Sequence, residues 1–161
     1  MKLLIVRHAI AMEKNEFVGN DDLRPLTLEG IRKMKKNARG LETLVERPSL
    51  LVSSPLTRAV QTAELLQTVW EGLEILICES LRPNSKPQAL ATWINERLDA
   101  GRELVTLTGH EPHLSEVIQW MTGGRIELKK GGACLIEFDD RIAKSAGVLK
   151  WLVTPQILRS L

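Results

Sequence analysis

Four residues suited to phosphoryl chemistry directly follow short apolar runs: Arg7 and His8 after LLIV, Arg58 in the SSPLTR that follows LLV, and His110 after LVTLTG. Each guanidinium offers a planar fork of donors that matches phosphate oxygens and keeps its charge at ordinary pH. Arginine cations beside a histidine disfavour its protonated form, which leaves a neutral imidazole able to attack phosphorus. One histidine is then a nucleophile and the other a donor to the equatorial oxygens. For this chemistry the apolar runs must be strands that end at one rim.

The pattern supplies such strands. Residues 3–6 are short, continuous and apolar, as in a strand covered on both faces. A polar stretch without periodicity, IAMEKNEFVGNDDLRP, follows. Its length is characteristic of functional or disordered loops. Thr27 caps a helix whose apolar stripe is Leu28, Ile31, Met34, Ala38, Leu41 and Leu44. Residues 50–52 form a second strand, and Pro55 suits the first turn of a helix carrying Leu56, Ala59, Ala63, Leu66 and Val69 or Trp70.

The alternation continues with a strand at 73–78, a helix at 87–98, a strand at 104–108 and a helix at 112–121. Strands at 133–138 and 148–154, joined by DDRIAKSAG, pair antiparallel at one side of the sheet. The expected fold is a three-layer α/β/α sandwich, a single domain over 1–161, with a mostly parallel central sheet and one antiparallel strand. In such sheets ligands bind outside the carboxyl ends of the strands. Helices beginning near Pro55 and Pro112 would add partial positive charge there.

Composition excludes several classes. With 161 residues, 43% hydrophobic and 26% charged, the chain reads as globular. Its net charge of +2 gives no electrostatic ground for nucleic-acid or membrane binding. The apolar run before Arg7 is too short for a secretory signal, and no stretch approaches the roughly 18 apolar residues of a membrane helix. The N-terminus therefore reads as unprocessed. Cys78 and Cys134 form no CxxC pair and read as buried thiols, in keeping with a reducing, cytoplasmic setting.

The segments LLIVRHAIA, SSPLTRAVQTA and GHEPHLS resemble the three signature segments of the histidine phosphatase superfamily, also called the phosphoglycerate mutase-like family. The resemblance runs through nearly the whole chain in element order. It implies a phosphohistidine intermediate on His8, a phosphate pocket completed by Arg7, Arg58 and His110, and no cofactor or metal. The family usually has glycine where this chain has Ala9. Glycine there serves a turn open to positive φ, so Ala9 must take an ordinary conformation or reshape the turn.

No segment between elements is long enough for a lid domain. The compact chain, with DDLRPLTLEG after a brief loop, resembles the SixA-type phosphohistidine phosphatases, whose partners are histidine-phosphorylated proteins such as phosphotransfer domains. The runner-up is a phosphatase for small phosphoesters. A mutase would need to hold a diphosphorylated compound away from water. From another class comes a catalytically weak module that binds phosphate on a partner. The small size points to a monomer.

Other candidates are less defined by sequence. In the acid phosphatase branch an acidic residue after the second histidine protonates the leaving group. Glu111 therefore reads as a general acid or as an ordinary acidic residue in a helix's first turn. Glu79 resembles the mutase position for that acid. Arg24 could reach the phosphate from the long loop, oriented by Asp21 or Asp22, or form a structural pair there. Lys129 and Lys130 read as a solvated pair before a basic lip for an acidic partner. Trp70, Trp93, Trp120 and Trp151 read as packing residues. Three histidines can hold zinc, but arginines in the same pocket would repel the cation.

Overall fold

A computed structural model describes residues 1–98 and 104–161. Its centre is a six-stranded sheet of order β3-β2-β4-β1-β5-β6, formed by β1 Lys2–Arg7, β2 Leu50–Ser53, β3 Ile75–Ile77, β4 Leu104–Gly109, β5 Ala133–Glu137 and β6 Val148–Val153. The strands β3, β2, β4 and β1 run parallel. Strand β5 is antiparallel to both β1 and β6, so it alone opposes the other five. The expected mostly parallel sheet with one reversed strand is therefore found.

Both faces of β1 are buried, which explains its unbroken apolar run. Leu3 and Ile5 pack into one core with α3 (Pro87–Arg97) and α4 (His113–Thr122). Leu4 and Val6 point the other way, into a second core with α1 (Leu28–Leu44), α2 (Thr57–Gln67) and α5 (Pro155–Leu158). Alternation along a strand places successive side chains on opposite faces. The result is three layers.

Local signals explain most boundaries. Thr27 Oγ1 accepts from Gly30 N at 2.9 Å, capping α1. A Cβ on Gly30 would lie 2.1 Å from the Ile10 carbonyl oxygen, so only glycine lets the long loop lie on this helix. Gly123, at φ 80°, ends α4 in the left-handed conformation.

Four expectations need correction. Leu28 and Leu44, read as part of the α1 stripe, are exposed at its ends, while Met34, Ala38 and Leu41 fill the core. Pro55 precedes α2, which begins at Thr57 with Leu56 as its N-cap. Strand β3 spans Ile75–Ile77, because an edge strand is paired only where β2 reaches it, although Leu73 and Cys78 are still buried. The four-residue helix α5 carries little periodicity and was not expected. It packs so closely on α1 that a Cβ on Gly40 would meet the Leu158 carbonyl oxygen at 2.1 Å.

The segment after Ala9 is built in place. Ala11 bridges Leu26, Met12 N donates to the Pro25 carbonyl at 2.9 Å, and Asp21–Leu23 forms a 3-10 turn capped by Asn20. Trp70 is buried, and Trp93, Trp120 and Trp151 pack against the two cores. No helix among the described residues is long and apolar enough to cross a membrane.

Candidate active site

The parallel register brings the chemistry together. Arg7 pairs with Gly109 across β1 and β4, His8 N donates to the Gly109 carbonyl at 2.9 Å, and Ser54 N donates to the Thr108 carbonyl at 3.0 Å. The ends of β1, β2 and β4 thus share one rim. A cleft of about 350 Å³ opens there, bordered by Arg7, His8, Arg24, Arg58, His110 and Glu111, all six residues singled out from sequence.

His8 is set up as a nucleophile. Its Nδ1 lies 2.7 Å from the Ala9 carbonyl oxygen, which can only accept, so Nδ1 carries the proton and Nε2 keeps its lone pair. Burial pushes the imidazole pKa down to about 3; the charges of Arg58, Arg7 and Lys130 add to this, while the Ala9 contact opposes it. The His110 ring centroid is 5.2 Å away. Its pKa is pushed down to about 2, first by burial and then by His8 and Arg58. Both rings are neutral at ordinary pH.

The arginines are held by part of their donor sets. Arg7 Nη1 donates to the Leu128 carbonyl at 2.7 Å. Arg58 Nη1 donates to the Asp21 carbonyl at 3.0 Å, and Nη2 pairs with Asp21 Oδ2 at 3.3 Å. The buried Nε atoms of both side chains have no partner. Arg24 Nε meets the other Asp21 oxygen at 2.9 Å, and Nη1 donates to the Met12 carbonyl at 2.6 Å. Asp21 therefore fixes two arginines at once. Burial lowers the Arg7 and Arg58 pKa values, while Glu111 and Asp21 respectively act in the opposite direction.

Residues 3–84 match the histidine phosphatase superfamily, branch 1, just over half of the chain. The chain belongs to the histidine phosphatase superfamily. An uncharacterized protein of Picosynechococcus sp. is 34% identical over 137 residues, 82% of each sequence. In fold the chain is similar to the protein histidine phosphatase SixA solved with tungstate, with a TM-score of 0.87, 20% identity and coverage of 98% and 99% of the two chains. It is also similar to a phosphoserine phosphatase from Entamoeba histolytica, solved with 3-phosphoglyceric acid, with a TM-score of 0.71, 17% identity and coverage of 98% of each chain.

Ala9, where this superfamily usually has glycine, is resolved by the backbone. Among the described residues only Asn84 and Ser145 are non-glycine positions with positive φ, so Ala9 keeps an ordinary conformation. Its N–H donates to Thr62 Oγ1 at 3.0 Å, which ties the turn after His8 to α2.

The remaining candidates separate. Glu79 accepts from Arg82 on the surface and does not border the cleft. Lys130, read as one of a solvated pair, does border it. Gly131, at φ 76°, donates from its N–H to the Arg7 and His8 carbonyls and places Lys130 beside them. Because β5 is antiparallel to β1, the loop entering β5 meets the end of β1, and only that pairing makes Lys130 legible as a site residue. His113 is buried on α4 with both ring nitrogens unpartnered. Among the described residues no group of three or more His, Cys, Asp or Glu side chains could hold a metal ion.

Proposed function

We propose that the protein is a metal-independent phosphatase that forms a phosphohistidine on His8 and removes phosphate from phosphohistidine on partner proteins. The observation that carries the reading is the His8 ring, neutral and pinned through Nδ1 to the Ala9 carbonyl, in a cleft it shares with two arginines. Fixed cations around the three equatorial oxygens of a transferring phosphoryl group stabilise charge without reorganising during reaction.

In the first step Nε2 attacks phosphorus while the bond to the leaving nitrogen breaks. That imidazole departs neutral when its far nitrogen is already protonated, so a separate acid is not required. His8 becomes a phosphoimidazolium, its Nδ1–H still held by Ala9. Water then attacks phosphorus, loses a proton, and displaces neutral His8, giving inorganic phosphate. Arg7, Arg58 and His110 hold the transferring oxygens, with Arg24 and Lys130 adding charge.

A protein substrate is supported by the loop that contributes to the cleft. The three most exposed large apolar side chains among the described residues are Val18 (94%), Leu28 (87%) and Leu23 (62%). All three lie on or just after the loop whose Lys14, Asp21 and Arg24 line the cleft. A small phosphoester has no use for exposed apolar groups on this loop, whereas a protein surface carrying the phosphoryl group does.

The test is phosphate release from a phosphohistidine peptide, a phosphoserine peptide and an aryl phosphate, each with chelator present, for the native protein and His8→Ala. Fast release from phosphohistidine that vanishes in the variant is expected. Release from the aryl ester alone would assign a small-molecule phosphatase, and no release from any substrate would assign a phosphate-binding module.

A further inference from the structure

Glu111 borders the cleft, yet its oxygens are occupied by donors. Oε2 accepts from Ser115 N at 3.1 Å and from Ser115 Oγ at 2.6 Å. Oε1 accepts from Leu128 N at 3.0 Å. The Leu128 carbonyl in turn receives the Arg7 guanidinium at 2.7 Å. Four hydrogen bonds thus run from α4 through one carboxylate and the backbone of one residue to the arginine beside the nucleophile.

We infer that Glu111 is a positioning residue that acts on Arg7 through the Leu128 backbone, and that Ser115 fixes Glu111 for this purpose. The inference rests on the reading of Arg7 as a phosphate ligand. Three donors facing one carboxylate hold it as an acceptor, the opposite of what a proton donor to a leaving group needs. The Leu128 backbone transmits the constraint because its N–H is held by Glu111 and its carbonyl, on the other side of the same Cα, holds Arg7. Leu128 itself is buried in the core under α4, which limits how far that backbone can turn if the carboxylate is lost. Arg7 would keep its place on β1 but lose the fixed direction of its fork. The match between guanidinium and phosphate is geometric as well as electrostatic, so this weakens the pocket without removing a charge from it.

Glu111→Gln is nearly isosteric but supplies one acceptor oxygen where two are used. Its amide N–H₂ must face either Leu128 N–H or the Ser115 donors. A lost hydrogen bond to a charged group corresponds to about a tenfold weakening. Tungstate binding followed by calorimetry reads the pocket without requiring turnover, so it remains informative if the proposed phosphatase reaction is not found. The expected result is about tenfold weaker tungstate binding in Glu111→Gln, with Ser115→Ala shifted by about two- to threefold in the same direction.

In turnover, kcat/KM should fall by the same factor on phosphohistidine and on alkyl phosphates, with the shape of the pH profile unchanged. In an Arg7→Ala background the Glu111→Gln change should add nothing, because a residue acting only through Arg7 is silent once Arg7 is gone. Ser115→Ala keeps the test usable if Glu111→Gln folds poorly. Native tungstate affinity in Glu111→Gln together with selective loss of alkyl phosphate turnover and of the basic limb of the pH profile would overturn the inference in favour of proton donation. Additive effects of Glu111→Gln and Arg7→Ala on tungstate affinity would overturn it as well.

Discussion

Ser54 Oγ lies 2.7 Å from His110 Nε2, inside the protein. The hydroxyl also accepts from Leu56 N at 3.3 Å, which leaves its proton free for the ring. Nδ1 is buried without a partner in either tautomer, but if Nε2 held the ring proton the hydroxyl proton would be stranded as well. A hydroxyl that donates to Nε2 places its own proton and puts the ring proton on Nδ1, the nitrogen left for an anion. His110 is then a neutral donor for an anion. Ser54→Ala is expected to lower kcat/KM about tenfold. Nitrogen-15 NMR should find a Nδ1–H tautomer in the native protein and a mixture in the variant. A native spectrum of the Nε2–H tautomer contradicts this assignment.

Asp21 braces Arg58 and Arg24 through the two oxygens of one carboxylate. The neighbouring Asp22 meets Arg82 in a pair with both partners well exposed. The two positions form an internal control, since exposed pairs contribute little while a pair with a buried arginine orients it. Asp21→Asn should reduce kcat/KM about tenfold, and Asp22→Asn by less than about twofold. Equal effects of the two variants would mean that both aspartates merely tether the loop.

If the substrate is a protein, the exposed apolar side chains of the loop after β1 contribute only when a protein docks. Replacing Val18 and Leu23 together by serine removes two exposed side chains and touches no core. The expected outcome is a loss of about tenfold in kcat/KM on a histidine-phosphorylated phosphotransfer domain, with an aryl phosphate turned over as before. Unchanged activity on the domain would argue that these side chains take no part in recognition.

Strand ends were the legible part of this site. Apolar runs that stop at Arg7, Ser53 and Gly109 mark where parallel strands surface, and one rim follows from the fold class. Contacts between segments distant in sequence were not legible. The Asp21 to Arg58 pairing spans 37 positions, and no local pattern announces it. Lys130 reads as solvated until β5 is known to run against β1, and the link from Glu111 to Arg7 passes through a backbone carbonyl that has no sequence signature. Helix edges slipped as well: Leu28 fits the periodicity of α1, but as the first residue of the helix it is left exposed.

Burial of neutral histidines makes stability depend on pH in a defined window. The pKa of His8 falls from 6.5 to about 3 and that of His110 from 6.5 to about 2. Between these limits the unfolded chain binds protons that the folded protein refuses, so stability is complete above about pH 6.5 and declines as pH falls toward 3. From pH 7 to pH 5 each histidine accounts for a loss of roughly 2 kcal/mol. His113 shifts in the same direction, also through burial. Asp21 has a lowered pKa and loses its contribution only below the usual carboxylate range, so it leaves this window clear. The check is urea unfolding at both pH values for the native protein and for His8→Asn/His110→Asn, which retains His113. The native protein should lose several kcal/mol more than the double variant between pH 7 and 5. Parallel losses would show that neither ring is held neutral by the fold.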